Sequence, residues 1–181
     1  TALMPLSQET LARLGVWERV ADKGAPLHKL RLIDDQADRW TNPVIEVFSA
    51  EEITSTPFGH NVVNADLVDA LLERAAEWGE AALELLFDAP VTGWAPGQVT
   101  LGDGVVLEAD LILDAAGRRS PVPALAGIGL QDYRPDQIAL VCQIEHSIDH
   151  EGISTEFHRR EGPLTTVPMP ATAAGQPQSA I

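Results

Sequence analysis

Apolar residues recur at helical spacing in a few stretches of this chain and alternate with polar ones in most others. Ser7 to Leu14 predicts a helix, with Ser7 suited to the N-cap, Gly15 to the stop, and Leu11 and Leu14 on one face. Val16-Trp17 begins a second short turn against it. Leu27 to Ile33 predicts a strand anchored by Leu30, Leu32 and Ile33, followed by a turn at Asp34-Asp35-Gln36 and a returning strand from Val44 to Phe48. The clearest helix runs from Asn64 to about Ala76. Asn64 is its expected N-cap, Asp66 favours its first turn, and Leu67, Val68, Leu71, Leu72 and Ala75 form one stripe. Short strands are expected at Leu83 to Phe87, Val91 to Trp94, Gln98 to Leu101 and Val105 to Glu108, with Gly102-Asp103-Gly104 as a tight hairpin turn.

Leu111-Ile112-Leu113 is a wholly apolar run, the pattern of a strand buried on both faces. Gly117 would end it, Ser120 would cap a helix and Pro121 would open that helix. Such a strand–turn–helix unit places ligands at the carboxyl ends of strands. Beyond Gln137 the pattern becomes antiparallel, with strands at Ile138 to Ile144, Ile153 to Phe157 and Leu164 to Val167. Ala171 to Ile181 has little to bury and reads as a loop or frayed tail.

The 181 residues suffice for one domain with a substantial core, or for one domain and a small appendage, and no apolar run approaches the roughly 20 residues needed to span a bilayer. Twelve Lys and Arg against 27 Asp and Glu give a formal charge of −15, which repels nucleic acid and sets that partner aside. The single cysteine, Cys142, excludes an intrachain disulfide and a cysteine-based zinc site. Between apolar neighbours it reads as an inert buried thiol. His146 and His150 flank Asp149 without a third ligand nearby, so a solvated turn is expected there and not a metal site. His60 and His158 could act as acid–base groups, but packing or surface roles are the simpler expectation.

Four stretches together resemble the FAD-dependent hydroxylases of ubiquinone biosynthesis, within the group sharing the para-hydroxybenzoate hydroxylase fold. They are Thr1-Ala2-Leu3 with Leu11 to Trp17, Phe58 to Asn64 leading into Leu67, the turn from Asp114 to Pro121, and Gly152 to His158 with Gly162-Pro163-Leu164 and Val167-Pro168. The resemblance implies an α/β fold, α+β in part. It would be the middle portion of the family fold: a partial FAD domain plus an antiparallel substrate-domain sheet. The implied division is a helical FAD-domain part at 1–26, substrate-domain strands at 27–63, and FAD-domain helix, hairpin and strand–turn–helix at 64–136. A substrate-domain sheet at 137–170 and a tail at 171–181 complete it.

The resemblance further implies an FAD-dependent monooxygenase that uses NAD(P)H and dioxygen to hydroxylate a polyprenylated phenol. It would be cytoplasmic or peripheral at the inner membrane, with a homo-oligomer or other ubiquinone-biosynthesis proteins as partners. Implied cofactor-binding residues are Asn64, Asp114, Ala115, Gly117, Arg118 and Ser120; implied substrate residues are Glu156, His158 and Pro168. The motifs assign no catalytic residue. The glycine-rich phosphate fingerprint does not occur in the sequence and is expected before Thr1, and the Gly-Asp motif is expected beyond Ile181. A chain without them is expected not to retain FAD, to be inactive alone and to expose an apolar patch. Ala116 stands where relatives carry an acidic residue, which leaves an alternative: a non-catalytic module whose sheet binds a hydrophobic ligand or a protein.

Overall fold

The computed structural model describes residues 1–35, 43–131, 133 and 135–181. In chain order the elements are β1 (Ala2–Leu3), α1 (Pro5–Arg13), β2 (Ala25–Leu27), β3 (Lys29–Asp34), β4 (Val44–Ser49), β5 (Gly59–Asn61) and α2 (Asn64–Ala76). There follow β6 (Val91–Ala95), β7 (Gln98–Leu101), β8 (Val106–Glu108), α3 (Val122–Leu125), β9 (Gln143–Glu145), β10 (Ile153–His158), β11 (Leu164–Met169) and β12 (Gln178–Ala180). They form two units, 1–83 with 139–181, and 84–138.

In the first unit β1, β5 and β2 make a small antiparallel sheet that delivers the chain into α2. Its core is Val16, Val20, Val62 and Ala70, with Leu3, Leu11, Trp17 and Leu67 packed around them. Each fully buried valine stabilises by about 2 kcal/mol. Asp66 in the first turn of α2 and Arg74 in the last both favour the helix dipole. Arg74 also donates to the Leu14 carbonyl at 2.7 Å, which ties the end of α2 to the end of α1.

The larger sheet runs β4-β3-β10-β11-β12-β9. All its pairs are antiparallel except β3 with β10, which lie parallel with Arg31 beside Thr155 and Leu32 beside Glu156. Because side chains alternate, this register gives one face carrying Arg31, Thr155, Thr166, Pro168, Ser179 and Ile144. The other carries Leu32, Glu156, His158, Thr165, Met169, Ala180 and Gln143. In the second unit β6, β7 and β8 form an antiparallel meander with α3 against β6.

Several expectations are corrected. No strand forms at Leu83 to Phe87, nor at Leu111 to Leu113, where Leu111 and Leu113 are 72% and 79% exposed. A doubly buried strand needs a neighbour on each side, and no described strand pairs with this run. Pro121 precedes α3 at its N-cap, and the helix has only 4 residues. The strand expected at Ile138 to Ile144 shrinks to β9, leaving Ile138, Leu140 and Val141 exposed. Cys142 is exposed, not buried, although its backbone pairs with Ile181 in both directions. The supposed tail contains β12, because Gln178 to Ala180 supply the partner that β11 and β9 need. On α2 the buried residue is Ala70, while Val68 on the expected stripe is 51% exposed. Part of the predicted Asp34–Gln36 turn lies outside the described residues.

Candidate active site

The junction of β5 and α2 meets the Glu156 face of the large sheet. Asn61 ends β5 and is buried; its Nδ2 donates to the Pro168 carbonyl at 2.8 Å and approaches Met169 Sδ at 3.0 Å. A buried amide that satisfies a buried carbonyl fixes the junction against β11. Asn64 was expected to cap α2. Val63 holds the cap position instead, Asn64 is the first helical residue, and its Oδ1 accepts from the Thr1 nitrogen at 3.0 Å. A cleft of about 510 Å³ opens here, lined among others by Asn61, Asn64, Gln143, Met169 and Ala180.

Glu156 and His158 lie on this same face of β10. The Glu156 carboxylate and the His158 Nε2 are 3.8 Å apart, and both side chains are close to half exposed. Pro168, the third expected substrate residue, is fully buried and belongs to the opposite face, because its register partner is Ser179. One step along a strand reverses the side on which a side chain stands, so Pro168 cannot join the other two.

The turn from Asp114 to Ser120 belongs to the second unit. Asp114 Oδ1 accepts from the Ala116 N–H at 3.2 Å, and Ser120 Oγ accepts from the Val122 N–H at 3.2 Å, so both side chains are occupied in shaping the backbone. Gly117 has φ +74°, with nothing within 4 Å of where a Cβ would stand. Its left-handed conformation requires glycine, and its outer side is open to a ligand's approach. Ala115, Arg118 and Arg119 are exposed along the same turn.

Three histidines have structural partners. His60 stacks edge-on against Trp17 at 5.3 Å, and its Nδ1 is buried without a partner. Burial pushes its imidazolium pKa down, with His28 adding a smaller push in the same direction. His146 and His150 do not form the expected solvated turn: His146 Nε2 meets Ser179 Oγ at 2.9 Å and His150 Nε2 meets the Met169 carbonyl at 3.2 Å. Asn61, Gln143 and Met169 were not found from the sequence. Their only signal is strand parity, which is uninformative until strand partners are known.

A flavin fits these residues in part. In the first unit the polar cleft beside Asn64 could face a polar edge of it, and in the second the turn at Gly117 is open by itself, but the glycine-rich loop that would hold a pyrophosphate does not occur in the given sequence. No protein-family model matches the chain. It is 30% identical over 174 residues to the ubiquinone hydroxylase UbiL of Rhodospirillum rubrum, covering 94% of this chain and 39% of that protein. It is 21% identical to the mouse mitochondrial ubiquinone biosynthesis monooxygenase COQ6, covering 95% of this chain and 37% of that one. The fold matches PqsL of Pseudomonas aeruginosa, described as a probable FAD-dependent monooxygenase, with TM-score 0.75, 19% identity, and coverage of 99% of this chain and 48% of PqsL. The chain thus spans about two-fifths of the length of its curated relatives. In sequence the chain is similar to hydroxylases of ubiquinone biosynthesis, and in fold to PqsL.

Proposed function

We propose that this chain supplies part of the substrate and flavin environment of a monooxygenase that hydroxylates a polyprenylated phenol in ubiquinone biosynthesis, with NAD(P)H and dioxygen as co-substrates. The observation that carries the reading is the 30% identity to UbiL along 94% of the chain. When bound, FAD supplies the oxygen chemistry. The role of this chain is to position and shield. In the first unit Asn64 would offer a polar group from the lining of its cleft, and in the second the Gly117 turn with Asp114, Ala115, Arg118 and Ser120 would offer open backbone to the cofactor. The partly exposed pair Glu156 and His158 puts a carboxylate and an imidazole together on that face and can hold the proton of a ring hydroxyl.

The test uses the intact protein with FAD, NADH or NADPH, a short-chain prenylphenol and labelled dioxygen. The expected product carries one labelled oxygen on the ring, and its yield falls at least tenfold in His158→Gln, in line with the loss of a positioned acid–base group. Unlabelled phenol recovered from a protein that binds FAD stoichiometrically would defeat the hydroxylase reading and favour the binding-module alternative that Ala116 suggests.

A further inference from the structure

A second cleft of about 510 Å³ lies on the face of the large sheet opposite Glu156 and His158. Its floor is built by register: Arg31 on β3 stands beside Thr155 on β10, which stands beside Thr166 on β11. Ile144, Ile148 and Ile153 supply apolar wall, and the loop carrying His146 and His150 closes one side.

Counting donors and acceptors shows an imbalance. Arg31 Nε and Nη2 both donate to Thr155 Oγ1, at 3.1 and 2.9 Å. A guanidinium carries five N–H groups, so the remainder have no acceptor among the described residues. Thr155, 2% exposed, receives both bonds and still has its own hydroxyl hydrogen to donate. The Thr166 hydroxyl likewise has no hydrogen-bond partner among the described residues, and no described carboxylate pairs with Arg31. The histidines are already satisfied. His146 Nδ1 donates to the Ile148 carbonyl at 2.6 Å, so its Nε2 accepts from Ser179; His150 Nδ1 accepts from the Gly152 N–H at 3.1 Å, so its Nε2 donates to Met169. At the rim, Asp149 is engaged by the Glu151 N–H at 2.8 Å. The Asp149 and Glu151 carboxylates also line the cleft, while its floor carries one positive charge, that of Arg31, and several donors beside aliphatic wall. Such a group of donors is complemented by an acceptor-only anion.

We propose that this cleft binds a small aliphatic carboxylate, its oxygens between Arg31 and the Thr155 and Thr166 hydroxyls and its chain against the three isoleucines. Its volume falls within the range of small-molecule sites. The site is independent of the hydroxylase reading, since it uses neither the Glu156 face nor the Asn64 cleft.

Hexanoate is titrated calorimetrically into the intact protein, with hexanamide as the neutral isostere. Hexanoate is expected to bind saturably and hexanamide at least about tenfold more weakly, since charge-assisted bonds are at stake. Arg31→Gln should weaken hexanoate by a similar factor. Thr166→Val, which keeps Arg31 and the side-chain volume, should weaken it severalfold even if the first variant does not fold. His158→Gln should leave it unchanged. Equal binding of acid and amide, no saturable binding at millimolar hexanoate, or loss in His158→Gln with retention in Thr166→Val would each overturn the proposal.

Discussion

Asn61 joins two parts of the first unit through a single buried amide. Its Nδ2 reaches across 107 residues of sequence to the Pro168 carbonyl in a buried hydrogen bond. Asn61→Ala should therefore lower unfolding free energy by about 1–3 kcal/mol, because the buried carbonyl loses a donor and nothing replaces it. Urea denaturation of the intact protein would show this as a reduced midpoint at unchanged slope; an unchanged midpoint would mean that the bond is not made. The same residue-level logic separates Pro168 from Glu156 and His158. All three stand on adjacent strands near the family motif, but alternation puts the proline ring under the sheet and the other two above it.

Among the elements, the parallel pairing of β3 with β10 decides the architecture of the first unit. It joins two hairpin-like segments more than a hundred residues apart into one six-stranded sheet. Gly152 starts that pairing: its carbonyl accepts from the His28 N–H at 2.9 Å, and it has φ +67°. A Cβ there would come 2.8 Å from His28 Cδ2 and 3.1 Å from the Pro26 carbonyl oxygen. Gly117 has a similar φ of +74° but open space around it, so it serves as the control. Gly117→Ala should cost about 1–2 kcal/mol, the left-handed penalty alone. Gly152→Ala should cost clearly more, since the strand junction must also move. Thermal unfolding of both variants makes the comparison, and equal losses would remove the steric argument.

At the scale of the whole molecule, the two units differ in how much they bury. Among the described residues, the buried apolar core lies in the first unit except for Leu101. The second unit leaves Leu111, Leu113, Ile128, Leu130, Tyr133 and Ile138 exposed. Low burial permits local opening. Amides of β6 to β8 should therefore exchange with solvent faster than those of β3 and β10 in a hydrogen-exchange experiment on the 181-residue chain. Equal protection in both sheets would show that the second unit is stabilised by something other than its buried core.

The sequence alone located most elements. α2 was legible from Asn64 to Ala76, and β6, β7, β10 and β11 were found to within a few residues, because helical period, strand alternation and turn glycines are local properties. The resemblance to the ubiquinone-biosynthesis hydroxylases was also legible, since it rests on the order of short motifs. Pairing was not. Which face Pro168 takes, the strand made by Gln178 to Ala180, the exposure of Cys142, and the convergence of Arg31, Thr155 and Thr166 all depend on which strands become neighbours. Hydrogen bonds between distant segments decide that, and no window of sequence contains both partners. For the same reason Leu111 to Leu113 looked buried: an apolar run states a need for neighbours, and only the tertiary structure decides whether they are supplied.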